Sequence, residues 1–296
     1  MELQSQLKEI QARGLGIAAI SYDSPEIMAA FSKQRGVTFP MLSDAGSATI
    51  KTYGILNTVV EQALGPNRDD PAVNAEAAKY VSGVGARAEM AGMAFPGTFV
   101  VDKQGRVTSR YFEDFYIDRN TVSSLLVKLG GKVDASVAAT KISSKYLDAI
   151  TYPSDAAVAP GNRFSLVAEV MPHARLHVYA PGAETFGYRV IGLHIEPNQR
   201  IHVLPVKYPA SEIYDFKPLK QRVPVFQKPF RLVQELVLDG TPASQQALAG
   251  KTELTITGEL RYQACDDKIC YNPVAIPLSW KLSLRELIRE RPMVAR

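Results

Sequence analysis

Tyr262-Gln263-Ala264-Cys265-Asp266-Asp267-Lys268-Ile269-Cys270-Tyr271 holds both cysteines of a 296-residue chain. Alternating threonine and apolar residues precede it from Thr252 to Leu260, and an apolar run follows from Val274 to Trp280. The pattern reads as two strands joined by a short connection with a cysteine at each shoulder. Facing positions of an antiparallel pair bring Cα atoms to roughly 4.5–5.5 Å, inside the window a disulfide requires. A loop this short removes little chain entropy, on the order of 2 kcal/mol. Stability is a thin reason for such a bridge, and thiol–disulfide exchange is a better one. A static hairpin staple is the competing reading.

The same texture extends outward on both sides. From Lys141 onward prolines separate short stretches rich in Val, Leu, Tyr and Phe: Phe164–Val170, Leu176–Tyr179, Tyr188–Ile195, Phe230–Leu238 and Leu254–Tyr262. Many short strands broken by turn residues indicate an all-β sandwich over residues 141–283. The segment 284–296 is basic with helical spacing at Leu284, Leu287 and Ile288, and reads as a surface helix and tail. Trp280 is expected in the core.

The first 130 residues read differently. Leu3, Leu7 and Ile10 recur at helical spacing, so the chain opens inside an amphipathic helix. Gly16–Ser21 and Val37–Leu42 are short strand candidates. Between them Ser24 caps, Pro25 fits the first helical position, and the helix runs to Arg35 and stops at Gly36. Ser47–Tyr53 is a helix ending at Gly54, and 60–94 is a long mixed insertion in which Asp69-Asp70-Pro71 starts a helix. Gly97–Asp102 and Arg106–Phe112 form a hairpin, and Asn120–Leu129 a closing helix. This alternation indicates an α/β layer structure over 1–130. Gly130-Gly131 and the small residues that follow make 131–140 a linker.

Composition closes off other classes. Apolar residues make up 46% and charged residues 22%, an ordinary globular balance. The net charge of +4 comes from residues of both signs spread along the chain, with no basic block interleaved with aromatics, so no nucleic acid is expected. No apolar run reaches the roughly 18 residues of a membrane span. The start lacks the basic-then-apolar pattern of a secretory signal. A cysteine pair in one hairpin points to an oxidising compartment, and from that conflict the amino terminus is expected to be incomplete.

Gly14-Leu15-Gly16-Ile17-Ala18-Ala19-Ile20-Ser21, Phe39-Pro40-Met41-Leu42-Ser43-Asp44, Tyr53-Gly54-Ile55 and Phe95-Pro96-Gly97-Thr98-Phe99 resemble a redoxin domain. This is the alkyl hydroperoxide reductase/thiol-specific antioxidant branch of the thioredoxin-like fold, and the resemblance covers residues 1–129. It implies that Pro96 is a cis-proline packed against active-site cysteines, whereas composition alone reads Pro96 as strand punctuation. The family's active-site cysteine would lie just before Met1, and this half has no cysteine. The chain is expected either to be a truncated redoxin or to keep that domain as a docking module. Neither version performs peroxidase or reductase chemistry in this half, because the thiolate is the nucleophile.

Pro160-Gly161-Asn162-Arg163-Phe164, His177-Val178-Tyr179-Ala180-Pro181-Gly182 and the Tyr262–Pro273 stretch are similar to the amino-terminal periplasmic domain of the thiol:disulfide interchange protein DsbD, an immunoglobulin-like sandwich. The resemblance implies that Cys265 and Cys270 are a redox pair that accepts and passes electrons. The partner would be thioredoxin-like, a membrane thiol:disulfide interchange protein, or a complete copy of the chain's own redoxin domain, which tethering would hold at mM effective concentration. It also implies a periplasmic or otherwise extracytoplasmic setting.

The expected fold class is therefore α/β plus all-β: a truncated thioredoxin-like domain followed by an immunoglobulin-like sandwich. The expected function is thiol–disulfide relay through Cys265 and Cys270; the alternative is a non-catalytic partner-binding protein with a structural disulfide. Tyr262 and Tyr271 bracket the cysteines and are expected to shield them, ordinary sandwich packing being the alternative. Asp266 and Asp267 disfavour a thiolate while Lys268 favours one, which leaves thiol acidity no stronger than usual. His173 and His177 are metal-type donors, but a His-x3-His spacing on a turn and a strand does not converge as it would on a helix. No metal and no cofactor are expected.

Overall fold

The computed structural model describes residues 2–80, 88–112, 118–131 and 137–286. Two compact units account for them: residues 2–122 with Gly240–Ala243, and Ser123–Asp239 with Ser244–Glu286.

The first unit mixes helices with two small sheets. Helices α1 (Glu2–Ser5) and α2 (Leu7–Ala12) replace the single opening helix, with a break at Gln6, and Leu7 and Ile10 are buried. Strand β1 (Ala19–Ser21) pairs in parallel with β2 (Met41–Ser43). Helix α3 (Pro25–Arg35) lies between them in sequence. It starts as its residues dictate: Ser24 Oγ accepts from the Ile27 amide, Pro25 opens the first turn, and Gly36 ends the helix at φ 63°. Asp44 accepts from the Thr49 and Ile50 amides at the start of α4 (Ala48–Thr52), and those bonds hold its carboxyl below the usual carboxylate range. Asn57 caps α5 (Thr58–Leu64) by accepting from the Val60 amide. Helix α6 (Pro71–Tyr80) begins at the Asp-Pro signal, and part of the remaining insertion, 81–87, lies outside the described residues. Strands β3 (Gly97–Val101) and β4 (Val107–Phe112) form the expected antiparallel hairpin. Its turn is closed by Asp102, which accepts from the Gln104 and Arg106 amides, with Gly105 at φ 80°. Strand β5 (Arg119–Asn120) follows, and helix α7 (Val122–Lys128) belongs, from Ser123 on, to the second unit.

One expectation fails here. The Phe95–Pro96 bond is trans, since no cis peptide bond occurs among the described residues. The trans isomer is the intrinsically favoured one, and the first half of the chain has no thiol against which a cis-Pro96 would pack.

The second unit is an all-β sandwich. Its strands are β6 (Thr140–Ser143), β7 (Leu147–Pro153), β8 (Ala157–Val158), β9 (Asn162–Pro172), β10 (His177–Tyr179), β11 (Gly192–Ile195), β12 (Ile201–Val203), β13 (Glu212–Phe216), β14 (Gln221–Phe226), β15 (Phe230–Leu238), β16 (Glu253–Tyr262), β17 (Ala264–Cys265) and β18 (Val274–Leu284). Helix α8 (Pro242–Leu248) interrupts them. One sheet runs β12-β15-β9-β7-β6 and another β11-β16-β18-β8. Between them lies a core in which Leu147, Phe164, Leu166, Leu232, Leu236, Leu260 and Trp280 are almost wholly buried. Period-2 alternation puts every second residue of β16 inward, so Leu254, Ile256, Leu260 and Tyr262 reach that core while their neighbours face water. Ser283 and Leu284 end strand β18 instead of starting a helix, because Leu284 pairs with Val158 of β8. The rest of the carboxyl-terminal segment, 287–296, lies outside the described residues, as does 132–136 of the expected linker.

A third sheet, β13-β14-β10-β17, carries the site.

Candidate functional site

The long hairpin read from the sequence is β16 paired with β18, from Tyr262↔Val274 to Glu253↔Ser283. The cysteines lie beyond its end, in the connection. After Tyr262 the chain leaves the β16 sheet: β17 pairs instead with β10, Cys265 opposite His177 and Ala264 opposite Val178. Cys270 returns to face Cys265 in an isolated antiparallel bridge. The two are joined as a disulfide with Cα atoms 4.2 Å apart.

The two cysteines differ in exposure. Cys265 is fully buried, whereas Cys270 is partly exposed at the end of the turn. Cys265 packs in a small cluster of its own with Tyr179, Ala183, Val223 and Val225, edged by Tyr188, Val190, Tyr214 and Cys270.

Tyr179 is the side chain that touches the sulfurs. Its hydroxyl lies 2.8 Å from Cys265 Sγ and 3.1 Å from Cys270 Sγ. A disulfide has no S–H, so the phenol is the donor. Burial raises the Tyr179 phenol well above its ordinary range, with Tyr188 adding to the effect, so the group keeps its proton. Tyr188 stacks on it with centroids 4.2 Å apart and planes 9° from parallel, and Tyr188 in turn donates to Gln221 Oε1 at 2.8 Å. The hydroxyl is thereby aimed from behind.

His177 is 3% exposed, its ring against Tyr214 (4.4 Å between centroids) and edge-on to Tyr179 (5.5 Å). Burial pushes its imidazole down to about 4, against a smaller opposing pull from Asp266, so it is neutral at physiological pH. His173 sits on the exposed side, 3.4 Å from Asp148 and bonded to the Lys145 carbonyl, and does not join His177.

The turn between the cysteines is organised by Asp266. Its Oδ1 accepts from the Lys268 and Ile269 amides, both at 2.7 Å, and its Oδ2 accepts from the Tyr271 hydroxyl at 2.8 Å. These bonds hold the carboxyl below the usual carboxylate range, the backbone amides contributing most. Tyr271 stacks on Tyr146, with Lys145 over both rings. Tyr262 donates to or accepts from Ser144 inside the main core. Tyr262 and Tyr271 therefore pack on the sandwich side of the cysteines, and the aromatic contact to sulfur comes from Tyr179. Tyr179 lies 86 residues from Cys265 along the chain, so no local pattern ties it to the cysteines. The available signal was the His177-Val178-Tyr179 alternation, which puts residues 177 and 179 on one face.

Residues 1–110 match the AhpC/TSA family. No curated protein matches the chain. Among solved structures, the chain is similar to the reduced DsbD amino-terminal domain of Neisseria meningitidis, at 11% identity and a TM-score of 0.28, covering 40% of this chain and 81% of that one. It is also similar to the amino-terminal periplasmic domain of ScsB from Proteus mirabilis, at 12% identity and a TM-score of 0.34, covering 49% of this chain and 51% of that one. The SrpA adhesin of Streptococcus sanguinis shares 12% identity at a TM-score of 0.23, covering 49% of this chain and 59% of that one. The AhpC/TSA match and the Cys265–Cys270 disulfide lie in different parts of the chain. Among the described residues, no helix is long and apolar enough to cross a membrane.

Proposed function

We propose that the second unit is a thiol–disulfide exchange module that relays electrons through Cys265 and Cys270. The observation that carries this reading is the asymmetry of the bridge: Cys270 is partly exposed, whereas Cys265 is buried and its sulfur is the nearer of the two to the Tyr179 hydroxyl. A reducing thiolate from the partner attacks Cys270 Sγ. The Cys265–Cys270 bond breaks, and its electron pair leaves on Cys265 Sγ, where the Tyr179 hydroxyl stabilises the developing negative charge. The partner's second thiolate then attacks its own sulfur in the mixed disulfide and releases Cys270. Two electrons and two solvent protons make the dithiol, which reduces the next acceptor by the reverse path. The partner class is a thioredoxin-like protein or a membrane thiol:disulfide interchange protein, in an extracytoplasmic setting. The first unit brings no thiol of its own to this chemistry.

Single cysteine variants test the order of events. Cys265→Ser retains the accessible Cys270 and is expected to form a mixed disulfide with oxidised glutathione at least about tenfold faster than Cys270→Ser does. The tenfold corresponds to about 1.4 kcal/mol of barrier. Mass spectrometry of quenched samples reads both rates. Equal rates, or faster trapping at Cys265, would overturn the assignment.

A further inference from the structure

The disulfide is not the only link across the turn. Asp266 follows Cys265 and Tyr271 follows Cys270, and their side chains are joined at 2.8 Å. The same carboxylate fixes the Lys268 and Ile269 amides, while the Asp266 amide donates to the Ile269 carbonyl and the Tyr271 amide to the Ala264 carbonyl. Gln263 Nε2 donates to the Tyr271 carbonyl as well. Tyr271 is itself held from outside the turn, by its stack on Tyr146 with ring centroids 4.6 Å apart. None of these bonds involves sulfur, so none is broken when the disulfide is reduced.

We propose that Asp266 and Tyr271 form a non-covalent brace that keeps Cys270 beside Cys265 in the dithiol state and so sets the redox potential of the pair. The inference rests on the exchange function proposed above and concerns its regulation. The argument is one of unequal effect on two states. In the oxidised protein the covalent bond holds the sulfurs together whether or not the brace exists. In the reduced protein that task falls to the brace together with the backbone bonds of the turn. The brace therefore acts on the dithiol by limiting its freedom and raising the effective concentration of one thiol at the other. A dithiol that is already arranged for closure gives up less entropy on oxidation. The brace thus favours the disulfide and makes it harder to reduce. Asp266 and Tyr271 are positioning residues, since neither touches sulfur.

The test is the midpoint potential of the full-length chain in glutathione redox buffers, compared among wild type, Asp266→Ala, Asp266→Asn and Tyr271→Phe. Asp266→Ala removes the acceptor of all three bonds. Tyr271→Phe removes only the cross-turn bond and keeps the ring stack. Asp266→Asn removes the charge but keeps an oxygen for the two amides and an amide group for the Tyr271 oxygen. Asp266→Ala and Tyr271→Phe are expected to be more easily reduced, by up to about tenfold in the exchange constant, or about 30 mV for a two-electron couple. Asp266→Asn is expected to stay near the wild type. Unchanged potentials in Asp266→Ala and Tyr271→Phe would overturn the brace and leave the exchange function standing. An Asp266→Asn shift as large as that of Asp266→Ala would assign the effect to charge and also overturn it. A wild-type disulfide that no glutathione buffer reduces would instead remove the exchange function, and the brace with it.

Discussion

Tyr179 places one hydroxyl within hydrogen-bonding distance of both sulfurs, and that contact is the part of the site most open to a single-atom test. The Phe variant deletes the oxygen and keeps the ring on its Tyr188 stack. A hydrogen bond to a charged group contributes about 1.5–3 kcal/mol. Tyr179→Phe is therefore expected to slow reduction of the disulfide by a small dithiol roughly ten- to hundredfold, followed by stopped-flow detection of the released thiols. An unchanged rate would mean that the hydroxyl does not help the leaving sulfur. Cys265 and Cys270 were legible as a pair from sequence because they are close along the chain and flanked by strand patterns. Tyr179 was not, because the β10–β17 pairing that brings it there joins segments far apart, and the apolar pattern of neither segment specifies the other as its neighbour. The cis expectation at Pro96 came from resemblance alone, with no local residue requiring it.

Elements whose ends are fixed by local chemistry followed the sequence closely. Helix α3 begins and ends where Ser24, Pro25 and Gly36 say it should, and β15 spans the same Phe230–Leu238 that the apolar run marks. Strands β13 and β14 were missed, since prolines and charges break their pattern and their pairing supplies what the pattern lacks. Two predictions belong to this scale. Gly258 on β16 faces Ile195 of β11, and a Cβ there would meet the His194 carbonyl oxygen at 2.5 Å and Ile195 Cα at 3.1 Å. Those are backbone atoms that cannot swing aside, so Gly258→Ala is expected to destabilise the second unit by about 1–3 kcal/mol, read as a lowered denaturant midpoint. A midpoint equal to wild type would show that β11 can lift off β16 freely. Glu235 on β15 is 1% exposed and bonded to Lys128 Nζ of α7 at 2.6 Å, Arg163 Nε of β9 at 2.7 Å and Lys207 Nζ at 2.5 Å. Burial opposes its ionisation, but the Lys128 bond and the neighbouring cations win and hold it at about 2. Its folded pKa lies below the ordinary glutamate value of about 4.3. The stability it contributes is thus present above that value and is lost as pH falls toward 2. Denaturant midpoints are expected to fall across that window in the wild type. Glu235→Gln is expected to be weaker at neutral pH by roughly 3–5 kcal/mol and to lack that part of the acid slope. An identical acid slope in the two proteins would contradict this role.

At the scale of the whole molecule, the α/β first unit and the all-β second unit were legible because helix caps and strand alternation change character along the chain. The first unit matches the AhpC/TSA family over residues 1–110 yet contains no cysteine, so its own chemistry cannot be thiol-based within these residues. Cys265 and Cys270 are the chain's two cysteines, and the proposed relay requires that their bond be exchangeable. The midpoint potential of the wild-type disulfide measures this most directly. Structural disulfides of secreted proteins lie below about −300 mV, whereas exchange proteins span roughly −270 to −120 mV. Equilibration of the full-length protein with glutathione buffers, followed by acid quench and thiol counting, is expected to give a value inside the exchange range. A value below about −300 mV would identify an inert staple and contradict the relay.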